Sequence, residues 1–269
     1  MRKVRSLAMW CMIFVISLLP GLVLADMPKM GVVVMHGKGG SPDKWVNGLA
    51  DELANRGYLV ANLEMPWSGN RDYDVDTAAA DAQIDKAIAD MRAKGAQKIF
   101  VAGHSQGGGF AIHYASTHTI DGLIAIVPGA NPDSNTFRKK LSGSVSKATK
   151  LVKAGKGDDQ TDFKDFEGGR GLYSISTTPS IYLSWFSSDS AMNYKRAIRK
   201  IPSTMPVLFV EAKGDYPGLH RYNMGVYDDL SRNKLTRLYE PNVDHLHAPQ
   251  ASIDEVAKWT AEVASSPGQ

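Results

Sequence analysis

From Met30 onward the apolar positions follow two alternating rhythms. Short runs that are apolar almost without interruption read as strands buried on both faces: 31–35, 58–63, 98–102, 122–127, 207–211 and 236–239. Between them lie longer segments with apolar residues three or four apart, the spacing of amphipathic helices. One is predicted to open at Ser41 and Pro42, carry Trp45, Leu49 and Leu53 on one face, and end at Gly57. Others are marked by Ile84, Ile88 and Met91, closing near Gly95, by the stretch from the 103–109 segment to about 117, and by 222–230. In the last helix Ser252 and Glu255 have the spacing of a capping box, followed by Ile253, Val256, Thr260 and Val263. Strand–helix alternation of this kind builds a mostly parallel central sheet with helices on both faces, an α/β architecture. It lapses at about 129–204, where Ser, Thr, Lys and Gly dominate and no alternation can be followed.

The amino terminus has a different pattern. Arg2, Lys3 and Arg5 precede an apolar run over 7–24 broken only by Ser17, Pro20 and Gly21, and Val23 and Ala25 supply small residues where a signal peptidase reads. The expectation is a signal peptide over 1–25, cleavage before Asp26, and a periplasmic or secreted protein without a stable membrane anchor. A retained anchor is the rival reading, and Pro20 and Gly21 weigh against it. Removing 25 of the 269 residues leaves 244, the size of one large α/β domain. The 31 basic residues exceed the 28 acidic ones only through the three at the amino terminus, so the remaining chain is formally neutral and gives no support for nucleic-acid binding. Arg138, Lys139, Lys140, Lys147, Lys150 and Lys153 form a basic stretch that reads as a solvated face. Cys11 is the only cysteine and lies in the segment to be removed, which excludes disulfides and thiolate metal sites. No His pair stands at ligand spacing beside carboxylates, so no metal site is expected.

The sharpest chemical signal is Gly103-His104-Ser105-Gln106-Gly107, a GxSxG placed where a strand ends and a helix begins. A serine presented on so tight a turn needs neighbours without a Cβ, and a helix start beside it favours negative charge. This context marks Ser105 as a nucleophile rather than an ordinary turn serine. Two carboxylates follow near the end of strand 207–211, Asp215 and the competing Glu211. Glu211 lies within the strand, and Asp215 is better placed to reach a histidine from the next loop, fix its tautomer and stabilise the imidazolium. Two histidines in that loop, His245 and His247, compete as the base. The chain order Ser, Asp, His is that of the hydrolases with a GxSxG elbow. Trp67, Tyr173, Tyr182, Trp185, Phe186 and Tyr216 are aromatic residues near these segments. Trp67, Trp185, Phe186 and Tyr216 are candidate substrate-pocket residues, with packing of the insertion as the equal alternative.

Together, His36-Gly37-Lys38-Gly39-Gly40, the Ser105 motif and the later Asp215 and His245 resemble the α/β-hydrolase superfamily, over essentially the whole chain from Met30. The similarity is to its small carboxylesterase, dienelactone-hydrolase-like and serine-peptidase-like branches. The resemblance implies that the 129–204 insertion is a partly helical cap. It also favours His245 over His247, because the family's base commonly follows an Asp, and gives Lys38, with Gln106 directly after the nucleophile, as backbone donors to an oxyanion. The implied activity is cofactor-free hydrolysis of a small-molecule carboxylic ester or thioester through an acyl-enzyme. A peptidase of the same fold and a non-catalytic binding protein are the alternatives.

Overall fold

The computed structural model describes residues 28–266. The expected signal peptide over 1–25 lies outside the described residues. Six strands, β1 (Met30–Met35), β2 (Leu59–Leu63), β3 (Lys98–His104), β4 (Gly122–Ile126), β7 (Val207–Val210) and β8 (Arg237–Tyr239), form one sheet in the order β2-β1-β3-β4-β7-β8. Every pairing in it is parallel. The continuous apolar runs have the physical cause expected of them: successive residues feed opposite cores. Val33, Met35, Ile99, Val101, Leu123, Ala125, Val207 and Phe209 enter one buried cluster. Their alternates Val32, Val34, Phe100, Ala102, Ile124, Ile126, Leu208 and Val210 enter the other.

Helices α1 (Asn47–Asn55) and α9 (Ile253–Ser265), with the short α8 (Ala248–Ala251), cover the second cluster through Leu49, Leu53, Val256, Trp259 and Val263. The first cluster is covered by α2 (Thr77–Ala93), α3 (Gln106–Ala115) and α7 (Pro217–Asp228), through residues that include Ile84, Met91, Phe110 and Val226. Among the described residues no helix is long and apolar enough to cross a membrane.

Two predicted helix starts are corrected. The first helix begins at Asn47, not at Ser41–Pro42: the Ser41 carbonyl accepts from the Lys44 amide in a turn, and Trp45 has φ 67°, which no α-helix accommodates. Trp45 is therefore off the helix and exposed. At the last helix there is no capping box. Because α8 runs directly into α9, Ser252 has helical dihedrals and its Oγ donates back to the Ala248 carbonyl at 2.6 Å, while Glu255 accepts from Arg237 at 2.8 Å.

The 129–204 insertion is more ordered than its composition suggests. It holds α4 (Asn135–Lys153), an antiparallel hairpin of β5 (Thr161–Glu167) and β6 (Gly171–Thr177), then α5 (Pro179–Phe186) and α6 (Tyr194–Ile198). The hairpin was not legible as strands. Its inward positions include Phe163, Asp165, Ile175 and Thr177, and the outward ones Asp162, Lys164, Ser174 and Ser176. Trp185 pins α5 to the body by donating from Nε1 to the Val75 carbonyl at 2.8 Å and packing against Trp67, Tyr73 and Phe110.

Candidate active site

Ser105 sits between β3 and α3 with φ 54° and ψ −115°, a conformation that costs a non-glycine residue of order 1–3 kcal/mol and persists only when its surroundings fix it. They do so through three backbone bonds: its amide donates to the Ile126 carbonyl at 2.9 Å, and its carbonyl accepts from Gly109 at 3.0 Å and Gly129 at 2.8 Å. The flanking glycines are sterically required. A Cβ on Gly103 would lie 2.1 Å from the Gly107 carbonyl oxygen, and one on Gly107 would lie 2.6 Å from that of Met35 and 2.7 Å from that of His36.

Residues from two later loops meet this serine. His245 Nε2 accepts from Ser105 Oγ at 2.9 Å, and His245 Nδ1 donates to the Asp215 carboxylate at 2.9 and 3.0 Å. Asp215 precedes α7, which starts at Pro217, earlier than the 222–230 pattern suggested, and its Oδ1 also accepts from the Tyr216 amide. His245 and Asp215 are both buried. His247 is exposed and turns away, its Nδ1 paired with Asp244 at 2.7 Å and its ring set edge-on to Trp45.

Two further buried groups support this line. His104 donates from Nε2 to the His245 carbonyl at 2.9 Å, leaving Nδ1 buried without a partner. Burial first, then the nearby His245, lowers its pKa to about 3, so it stays neutral. Glu211, the competing acid, is buried beneath Asp215 and accepts from Asn223 Nδ2 at 3.0 Å. Burial, with the Asp215 charge second, raises its pKa to about 9, so at neutral pH it is a carboxylic acid in hydrogen-bonding contact with Asp215.

The loop after β1 lies against the elbow. His36 accepts from the Met65 amide at Nε2, which puts its proton on Nδ1, facing the Gly37 carbonyl at 2.7 Å. Burial lowers its pKa as well, and its ring contacts tie this loop to Met65 and Gly37. The amides of Lys38 and Gln106 donate no hydrogen bond within the described chain. Their side chains, by contrast, are linked to a buried carboxylate that sequence reasoning missed, Lys38 directly and Gln106 through Tyr73. Asp165, on the hairpin, accepts from Lys38 Nζ at 2.5 Å, Tyr73 Oη at 3.0 Å and Tyr173 Oη at 2.7 Å, and Tyr73 Oη also contacts Gln106 Oε1 at 3.1 Å.

Ser105 and His245 open into a cavity of about 1170 Å³ between the carboxyl ends of the sheet strands and the insertion. Its apolar walls include Phe137, Phe166, Tyr194, Leu219 and Tyr222, with Tyr216 beside the His245 ring at 5.4 Å between centroids. Of the four aromatic pocket candidates only Tyr216 lines it. Trp67, Trp185 and Phe186 are buried in the core beneath the insertion, where large aromatic area is best removed from water. Phe137 and Phe166 occupy the place expected of them; they lie in a basic helix and a charged hairpin, where neither stood out as aromatic signal.

Sheet order, parallel crossovers and the serine elbow together define an α/β-hydrolase fold. A family model described as the alpha/beta hydrolase fold matches residues 32–149, in agreement with the fold that the sequence motifs implied. Solved structures agree across most of the chain. A monoacylglycerol lipase from Paleococcus ferrophilus is similar with a TM-score of 0.59 and 19% identity, covering 87% of this chain and 94% of that one. Est1E from Butyrivibrio proteoclasticus with ferulic acid bound has a TM-score of 0.59 and 17% identity, covering 90% and 92%. The alpha/beta hydrolase GrgF from Penicillium sp. sh18 has a TM-score of 0.64 and 12% identity, covering 89% and 90%. No curated protein matches in sequence.

Proposed function

We propose that the protein is a serine hydrolase that cleaves carboxylic esters, or thioesters by the same chemistry, through an acyl-enzyme on Ser105. The observation that carries this reading is the unbroken Ser105–His245–Asp215 hydrogen-bond line. His245 Nε2 takes the Ser105 proton as Oγ attacks the carbonyl carbon, and Asp215 stabilises the imidazolium that forms. The free amides of Lys38 and Gln106 receive the oxyanion. His245 then returns the proton to the leaving oxygen, and water repeats the sequence on the acyl-enzyme. Export after removal of 1–25 belongs to the same reading and is supported by the amino-terminal pattern; an exported protein beginning at Asp26 agrees with it, and one that keeps Met1 does not.

The test is hydrolysis of nitrophenyl esters of graded acyl length by the parent, Ser105→Ala, His245→Ala and His247→Ala proteins. Turnover is expected to fall about 10⁴-fold or more in the first two variants and to survive in the third. Turnover that persists in Ser105→Ala contradicts the proposal.

A further inference from the structure

The cavity beside Ser105 is unevenly charged. Six cations line it, and two of them are matched by carboxylates: Lys38 by Asp165 and Arg199 by Asp229 at 2.8 Å. Lys44, Arg170, Lys195 and Arg196 have no carboxylate within 4.0 Å among the described residues. Arg196 is held by the backbone carbonyls of Asp189 and Ser190. Arg170 stacks on Tyr173 with its guanidinium carbon 3.9 Å from the ring centre, and Lys195 Nζ lies 5.5 Å from that of Tyr222. These partners fix the cations without neutralising them. The lining acids are Asp133, 3.7 Å from Arg138, and Glu167, so the excess is positive.

The four cations come from three separate elements around one opening: the loop after β1, the turn between β5 and β6, and α6. That turn is close to the reacting groups, because a Cβ on Gly169 would sit 3.9 Å from Tyr216 Oη and Tyr216 flanks His245. Behind the opening, 134–157 contains seven cations and no Asp or Glu, whereas the rest of the chain has 24 basic against 28 acidic residues. A cleft walled by one sign of charge concentrates ligands of the other sign and orients them.

We propose, resting on the ester-hydrolase reading, that the substrate carries a negative charge, a free carboxylate or an equivalent anionic group, on the part that faces Arg170 and Lys195. The test compares two esters of equal length, 4-nitrophenyl hemiglutarate and 4-nitrophenyl valerate. The expected result is a ratio of kcat/KM values of at least about tenfold in favour of the hemiglutarate at low ionic strength, falling as salt is added and falling again in the Arg170→Gln/Lys195→Gln protein. A ratio at or below one overturns the proposal. A binding assay separates this outcome from failure of the hydrolase reading: glutaranilic acid and valeranilide are titrated onto Ser105→Ala protein. If neither ester turns over, tighter binding of glutaranilic acid upholds anion recognition and removes the hydrolase, and equal binding removes both.

A different set of contacts carries a second inference. The residues whose amides are assigned to the oxyanion are joined through one buried carboxylate, directly by the Lys38 side chain and through Tyr73 to Gln106. We infer that Asp165 is a positioning residue by which the cap hairpin sets the oxyanion donors. In Asp165→Asn protein, kcat and affinity for a boronic-acid transition-state analogue should fall together, by about tenfold or more, with KM little changed. Lys38→Met/Asp165→Leu, which buries no unpaired charge, guards against simple loss of folding and should show the same paired fall. A folded variant whose kcat and analogue affinity match the parent overturns the assignment.

Discussion

At the residue scale the two histidines of one loop give a clear contrast. His245 and His247 are two positions apart, yet one is buried between Ser105 and Asp215 and the other is exposed against Asp244. The sequence left them as rivals, separated only by resemblance, because a loop carries no periodicity that says which side chain turns inward. The same limit hid Asp165: a buried carboxylate in a charged strand looks like surface until its four donors, Lys38, Tyr73, Tyr173 and the Phe166 amide, are seen around it. Ser105 was legible because the glycine spacing that its turn requires is written in the chain. Glu211 gives the residue-scale prediction. Glu211→Gln keeps the acceptor for Asn223 and a donor toward Asp215 while removing the ionisable group, so thermal melts at pH 8 should show the variant more stable than the parent, the gap closing toward pH 5. A melting temperature that tracks the parent from pH 5 to 9 would be inconsistent with a buried, protonated Glu211.

At the element scale the turn from β3 into α3 leaves no room for a side chain at Gly103 or Gly107. A methyl group at Gly107 meets two backbone carbonyls, and neither can move without shifting β1 or the loop after it. Gly107→Ala should therefore lower both the melting temperature and activity, measured side by side on the purified protein; a variant with parental values in both would mean that the elbow is looser than described. Trp185→Ala should cost about 3–5 kcal/mol in denaturant unfolding, because it empties the aromatic cluster that holds α5 to the body. The central strands were legible as apolar runs, since burial on both faces leaves no room for polar residues. The β5–β6 hairpin was not, since one face is solvated and Asp165 stands at an inward position where a strand would ordinarily show an apolar side chain. The start of α1 was misplaced because Ser41 and Pro42 carry a helix-start signal that the turn at Trp45 overrides.

At the scale of the whole molecule two buried groups of opposite kind shape the pH dependence. His104 has a folded pKa of about 3 against an ordinary 6.5, so its contribution to stability is present above 6.5 and is lost as pH falls toward 3. Glu211 has a folded pKa of about 9 against 4.5, so its contribution is present below 4.5 and is lost as pH rises toward 9. Between 4.5 and 6.5 the two slopes oppose each other, and melting temperature plotted against pH should have its plateau there, falling on both sides. A monotonic rise to pH 9 would contradict that assignment. Both groups lie against the proposed catalytic line, so the neutrality that isolates His245 and Asp215 is obtained at the expense of stability at each end of the pH range.

The central claim is that Ser105 is a nucleophile activated by His245. It is tested most directly by treating the folded protein with a fluorophosphonate and locating the adduct by peptide mass spectrometry. One adduct per chain is expected, on the peptide that contains Ser105, absent in Ser105→Ala and strongly slowed in His245→Ala but not in His247→Ala. A folded protein that takes up no label, or labels equally well without Ser105, would contradict the account.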